Sequence, residues 1–528
     1  MLPEVFAAVR GPYLVPALAL AVLACLVSTY VAAWYRLRHF SGPRLASFSY
    51  LWMLRICLSG KQAARYEHIN DKYGHVARIG PNDLITDDPE LVRRMNGARS
   101  AYGRSSWYYA LRMDPYGEGL FSMIDTAAHD RLKGKLAFGY GGKENPALER
   151  DVDEQLARLV GLIRRKYISD NEHTRPLDLA KAAQYFTMDS ITKIAYGREF
   201  GFLDADGDVF RAIQSAEEGI PFLVILAEMP LLGRIFTNPW VLKLVGPKKT
   251  DTGGLGRMLA IAEQVVAERF GPDAQDHRDM LGAFIRHGVS QRQCEIEVPF
   301  QIVAGSDTTA TAIRSTMLHL ASTRHAYTKL QQEIDTAAAE GRISSPVTAE
   351  EAKNLEYLQA VIYEGLRIHP PFSGLVMKQA PPHGDTLPDG RFVPPGTRVA
   401  HNTLALQRRR DVFGADADVF RPERWLGLGP GADGDGGDDD EEDDDAKAAR
   451  KTRMLQTTEM VFGWGRWGCA GKAVAFLEMG KALVELLRRF DFEVLHPERP
   501  WREENFNMFF QSELWMRVTE RFPEAARG

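Results

Sequence analysis

Residues 11–35 (GPYLVPALALAVLACLVSTYVAAWY) carry no charge, and about 20 apolar residues at 1.5 Å rise each suffice to span a bilayer. The run predicts a membrane-crossing helix. Trp34 and Tyr35 stand where an interfacial aromatic belt belongs, and Arg36, Arg38 and His39 follow on the positive side, which places the rest of the chain in the cytosol. A cleaved secretory signal is the competing reading. Its apolar core is shorter and follows a basic segment, whereas here one Glu4 and one Arg10 precede the run. Ser41-Gly42-Pro43 breaks the helix. Residues 1–40 are therefore expected to be an anchor and 41–528 one large folded domain.

Within that domain, residues 151–342 place apolar side chains three and four apart, the period of packed helices. Strand-like pieces are short, at 75–79, 84–86, 398–402 and 490–495. The predicted fold class is mainly α with a small β part. Residues 228–245 (EMPLLGRIFTNPWVLKLV) are apolar but interrupted by Pro230, Gly233 and Pro239, so they either dip into the membrane beside the anchor or form a buried helix pair.

Composition changes this picture little. Apolar content of 45% and charge content of 26% exclude general disorder. The net charge of −5 is uneven, because residues 433–445 (DGDGGDDDEEDDD) hold ten acidic residues and no basic one. That tract has nothing to bury and is expected to be a solvated loop inside the domain. The remaining body is mildly basic, with no sign of nucleic-acid binding. The four cysteines, Cys25, Cys57, Cys294 and Cys469, show neither a disulfide framework nor paired metal-ligand spacing. A reducing, cytosol-facing location fits them and leaves a lone Cys free to ligate a metal.

Chemistry concentrates at FGWGRWGCAG, residues 462–471. Gly463, Gly465 and Gly468 spell a dinucleotide fingerprint, with 460–462 as a possible strand end and Asp491 about 20 residues on as a ribose acid. Only some 60 residues remain after it, too few for a dinucleotide domain, and Trp464, Arg466 and Trp467 would crowd a pyrophosphate. Alternatively Cys469 is an inert buried thiol. A third reading is a ligating thiolate at the start of a helix over 472–489, where amide N–H groups and the helix dipole stabilise the anion. Elsewhere, Glu364 and Arg367 share a helix face, which in isolation is usually a surface ion pair. AGSDTT at 304–309 lies within a long helical pattern and, alone, is a Ser/Thr-rich kink.

Taken together, AGSDTT, EGLR (364–367), FRPERW (420–425) and FGWGRWGCAG resemble the ordered signatures of the cytochrome P-450 superfamily. The Phe-Gly-x-Gly-Arg-aromatic-x-Cys form is similar to that of fungal pisatin-demethylase-like members. The resemblance spans most of the chain and implies the cytochrome P-450 fold and a haem-thiolate monooxygenase. Cys469 would be the axial ligand of haem b, with Phe462 and Gly471 in the same signature. Trp467 occupies the usual Arg position and Arg466 stands one step early, so Arg466, together with His129, Lys133 and Lys378 in place of arginines, would grip the haem propionates. Glu364, Arg367 and Arg424 would form a buried structural triad. Small Ala304 and Gly305 would leave room for dioxygen, Thr308 would hydrogen-bond the bound oxygen, and Asp307 would relay protons to it. Trp107, Tyr108, Phe121, Ile302, Ala304, Phe372, Leu375, Val376, Met508 and Phe509 would line an apolar substrate pocket.

The implied reaction consumes O2 and NADPH-derived electrons, delivered by a separate NADPH–cytochrome P-450 reductase or a cytochrome b-type donor, since no flavin or nicotinamide segment is expected in this chain. An endoplasmic-reticulum membrane location, contact with lipid, and a role in fungal secondary metabolism or detoxification follow from the same resemblance. The rival functions are a haem-thiolate isomerase or dehydratase of hydroperoxides, and a non-catalytic haem-binding membrane protein.

Overall fold

The computed structural model describes residues 14–272, 274–426 and 444–522. The uncharged run forms a helix, Leu14–Arg36, with Leu18, Leu20, Leu23 and Val27 exposed. It is long and apolar enough to cross a membrane; residues 11–13 of the expected span lie outside the described residues. The buried Arg78 fastens its end to the body, donating to the carbonyls of Ala33 (3.3 Å), Trp34 (3.1 Å) and Ser47 (3.1 Å). Carbonyls of a last helical turn lack intrahelical partners and favour a cation, which explains an arginine buried there.

The short strand-like pieces become strands close to where they were expected: Val76–Gly80, Asp83–Thr86, Arg398–His401 and Phe490–Val494. The first three join Lys378–Gln379 and Gly103–Arg104 in a five-stranded sheet. Asp83–Thr86 pairs in parallel with Arg398–His401, and the other pairs are antiparallel. This register sets Arg104 opposite Lys378, residues far apart in the chain. Phe490–Val494 pairs with Trp515–Glu520, and a separate hairpin joins Arg502–Phe506 to Met508–Ser512.

Helices build the rest. Gln291–Ser322 runs through the middle, capped by Ser290, whose Oγ accepts from the Gln293 amide at 3.3 Å. Leu179–Tyr196 packs along it and is buried on every face except at Lys181 and Lys193. A helix that is buried all round belongs to a core rather than a surface. Gly305 permits the close crossing of these two helices, because a Cβ there would lie 2.7 Å from Ile191.

The apolar stretch after Glu228 forms two short helices, Pro230–Phe236 and Pro239–Val245, each started by a proline that needs no N–H partner. Leu231, Ile235, Trp240, Leu244 and Val245 are exposed, and Gly233 is the one buried residue of the pair. The buried-pair reading is thus corrected: the prolines and short turns leave the apolar side chains on the surface. Residues 433–443 of the acidic tract lie outside the described residues, and its last two, Asp444 and Asp445, begin a helix, Asp444–Glu459, rather than belonging to a loop.

Candidate active site

Residues 460–468 form two short 3-10 turns, Met460–Phe462 and Gly465–Trp467, before the helix Lys472–Leu487. A dinucleotide site needs a strand at 460–462; a turn stands there instead. Asp491, its candidate ribose acid, accepts from Gln331 at 2.9 Å and pairs with Arg521. Gly463 and Gly465 have φ of 76° and 57°, in the left-handed region. A Cβ at Gly463 would approach the Trp467 carbonyl to 2.9 Å, and one at Gly465 the Asn96 carbonyl to 2.5 Å. The loop therefore closes tightly, with the Cys469 amide donating to the Phe462 carbonyl at 2.6 Å. Cys469 faces a cavity whose wall includes Phe462, Gly471, Ala304 and Thr308. Burial pushes its thiol up, and the Gly471 and Lys472 amides and the Lys133 ammonium oppose that.

The central helix supplies Phe300, Gln301, Ala304, Gly305 and Thr308 to the same cavity. Thr308 Oγ1 donates to the Ala304 carbonyl at 2.8 Å. Asp307 points away from the cavity and is buried, accepting from Gln184 Nε2 at 2.5 Å. Burial raises its carboxyl, opposed by Arg314 and by that hydrogen bond.

At the basic end, His129, Lys133 and Arg104 reach the wall. His129 packs on Trp467 with ring centroids 4.4 Å apart, and its Nδ1 bonds Asp130 at 3.0 Å. Burial and Arg104 lower its pKa to about 4. Lys133 Nζ donates to the carbonyls of Arg466 and Gly468, both at 2.7 Å, and so ties down the cysteine loop. Lys378 is fully buried, with its Nζ 4.1 Å from the Trp467 ring centroid. Its Nζ, Arg104 Nε and Trp467 Nε1 are buried donors without a hydrogen-bond partner among the described residues. Burial without an anion, beside Arg104 and Arg466, drives the Lys378 ammonium well below its usual range. Lys378 is not on the cavity wall itself but sits behind Trp467, which is, and unpaired buried donors grouped around that indole fit the carboxylates of a haem.

Several expected positions move. Arg466 turns outward to the Ala98 carbonyl and Asp130, because the left-handed Gly465 aims the following residue away from the wall. Arg104, which the sequence reading missed, takes that place; its signal is only a two-residue strand whose partner lies at 378. Of the expected pocket residues, Tyr108, Phe121, Ala304, Phe372 and Val376 line the cavity. Trp107, Ile302, Leu375, Met508 and Phe509 sit one layer behind it in the core. Ile302 fails because two residues rotate a helix by about 200°, leaving Phe300 and Ala304 on the wall. Phe300 stacks on Phe121 at 4.8 Å. Glu478, also missed, lines the cavity; burial raises its carboxyl to about 8, opposed by a hydrogen bond with Thr309.

Beneath these walls, Glu364 accepts from Arg367 Nε (2.9 Å) and Arg424 Nε (3.1 Å). It also accepts from Trp425 Nε1 (2.9 Å) and the Arg421 amide (2.8 Å). The three charged side chains are almost wholly buried.

The sequence profile of the family described as Cytochrome P-450 matches residues 40–518. The chain belongs to the cytochrome P-450 family. It is similar to cytochrome P-450 monooxygenase ABA1 of Pyricularia oryzae, 49% identical over 99% of both chains. Cytochrome P-450 monooxygenase aba1 of Botryotinia fuckeliana is 41% identical over 90% of both. Cytochrome P-450 monooxygenase abl1 of Leptosphaeria maculans is 35% identical over 90% of this chain and 82% of its own. The chain is accordingly a cytochrome P-450 monooxygenase, an oxidoreductase that uses haem b, O2 and NADPH-derived electrons. It works on a small molecule and needs a redox partner.

Proposed function

We propose that this cytochrome P-450 inserts one oxygen atom into an apolar small molecule, drawing electrons from a separate NADPH-dependent reductase in the endoplasmic-reticulum membrane, in fungal secondary metabolism or detoxification. One observation carries the site assignment: the Cys469 sulfur and the Ala304–Thr308 face of the central helix open on one apolar cavity ringed by Phe121, Phe300, Phe372 and Val376. When bound, haem b supplies oxygen binding and O–O cleavage. Cys469 would hold it through its sulfur as a thiolate, a form that the Gly471 and Lys472 amides favour against the burial that opposes it. Lys378, Arg104 and His129 would orient it at the basic end, with Lys133 fixing the loop below.

The rest of the chemistry belongs to the chain. Thr308 Oγ can turn from the Ala304 carbonyl to donate into the cavity. Asp307, behind it, would pass a proton inward, and the aromatic wall would exclude water from the substrate. Residues 1–40 would anchor the domain 41–528, and the exposed side chains of Leu231, Trp240 and Leu244 would rest on the same lipid surface.

Two measurements test this. In Thr308→Ala, peroxide released per NADPH consumed should rise several-fold while haem content stays at the parent level; an unchanged ratio would refute oxygen activation through this hydroxyl. Lys378→Met removes the unpaired ammonium at nearly constant volume. The haem-to-protein ratio after purification should fall by about a factor of ten or more, as expected when one buried charge-assisted contact worth about 1.5–3 kcal/mol is lost. Full haem occupancy in that variant would remove Lys378 from the propionate end.

A further inference from the structure

We propose that Gln184 and Arg314 form a buried relay that holds the Asp307 carboxylate ionisable, making both of them positioning residues for proton delivery. The inference rests on the reading of Asp307 as the proton-carrying acid. Gln184 comes from Leu179–Tyr196 and Arg314 from the central helix beyond Asp307. Gln184 Nε2 donates to Asp307 Oδ1 at 2.5 Å, and Gln184 Oε1 accepts from Arg314 at 3.2 Å. The two ends fix the amide: reversed, it would set its carbonyl against a carboxylate and its NH2 against a guanidinium. A positive charge is thus presented to Asp307 through one oriented amide.

Arg314 is 1% exposed, and no carboxylate lies within ion-pair distance of it among the described residues. Its other contacts are neutral: Thr311 Oγ1 at 2.8 Å and the carbonyls of Phe509 (3.2 Å) and Ala180 (3.4 Å). Burying a cation on neutral partners alone is unfavourable, so a charge must answer it at longer range. Four carboxylates face this cluster. Asp178 accepts from the amides of Ala180, Glu513 and Leu514. Glu503 is paired with His369 at 3.3 Å. Glu217, on the helix Ala212–Glu228, is exposed. Arg314 also favours the charges of Glu503 and Glu217, but Asp307 is the carboxylate joined to it through a hydrogen-bonded amide, that of Gln184.

The function follows from the chemistry of a relay. A carboxyl that carries protons must lose one inward and take up the next. Burial alone would leave Asp307 fixed in its acid form; Arg314 and Gln184 oppose this. The Phe509 contact ties the same guanidinium to the C-terminal hairpin, which keeps the amide aligned.

The test uses the full-length haem-loaded protein, with an infrared titration of the carboxylate band that Asp307→Asn removes, beside the pH profile of peroxide released per NADPH oxidised with the reductase. Gln184→Met keeps the volume and deletes the relay. It should move the band and the acid limb of the profile to higher pH by about one unit, as loss of one charge-supporting partner does. Arg314→Gln should do the same, and Arg314→Lys should restore most of the shift. If Gln184→Met retains haem and neither readout moves, the relay is wrong. If Arg314→Gln loses haem, Gln184→Met decides. Should Asp307→Asn leave the peroxide ratio unchanged, the reading of Asp307 as acid fails, while the infrared shift still answers for the relay.

Discussion

Cys469→Ala should abolish the red-shifted Soret band of the reduced, carbon-monoxide-bound protein and take NADPH-dependent turnover to background. The substitution removes one sulfur and nothing that shapes the loop. The backbone at 469 is held by its own amide on the Phe462 carbonyl, at 2.6 Å. The turns around it depend on Gly463 and Gly465, which no L-side chain could replace without meeting the Trp467 or Asn96 carbonyl. Lys133 bonds the carbonyls of Arg466 and Gly468 rather than the sulfur. Folding, followed by thermal melting in the presence of added haem, should therefore stay near the parent value. A lost band in a folded protein would isolate the thiolate as the electron-donating ligand. A band surviving in Cys469→Ala would mean that a different thiolate holds the iron, because an imidazole ligand does not produce the red shift, and would overturn the assignment of Cys469.

The cysteine loop and the central helix were legible in the sequence because their signals are local. Gly-x-Gly spacing, a following helix and an Ala-Gly-x-Asp-Thr-Thr run each fit within a few turns of chain, and the short strand-like pieces lie close to where the strands form. What failed was non-local or a matter of phase. Arg104 becomes a pocket residue only because a two-residue strand pairs it with Lys378, and two residues carry no periodicity. Ile302 and Phe300 are both apolar on one helix, and only the helix's rotation against Leu179–Tyr196 puts Phe300 on the wall. The resemblance sets Arg466 one step before the signature's Arg position, whereas the positive φ of Gly465 sends it to Ala98 and Asp130. The resemblance puts Met508 and Phe509 in the pocket, but their hairpin packs them against the core, with Phe509 on His369 at 4.3 Å. The residues 228–245 kept two readings open because composition cannot say which face of a short helix finds a partner.

Glu364→Gln should be among the most destabilising single changes in the chain, costing about 3–5 kcal/mol, the usual penalty for breaking a buried ion pair from one side. Glu364 and Arg367 side chains are 0% exposed, and Arg424 is 2% exposed. The carboxylate receives Arg367, Arg424, the Trp425 indole and the Arg421 amide together. The guanidiniums in turn hold carbonyls of the segment 407–419: Arg367 bonds Gln407 (2.9 Å) and Ala417 (2.6 Å), and Arg424 bonds Phe413 (2.7 Å). Neutralising Glu364 leaves the buried Arg367 without a carboxylate and Arg424 with Asp416 alone (3.2 Å), and it unpins that segment, so Gln should be nearly as harmful as Ala despite its similar shape. Burial alone would push the Glu364 carboxyl up, but the hydrogen-bonded Arg367 and the charge of Arg424 outweigh it and hold it below the usual glutamate range. The sign follows: this contribution is fully present above the unfolded-state pKa of about 4.3 and is lost as pH falls through the lower folded value. Urea midpoints of parent and Glu364→Gln should therefore differ widely at neutral pH and converge in acid. A difference at neutral pH of only about 0–1 kcal/mol, the range of an exposed pair, would show that the brace is not what holds this wall of the cavity.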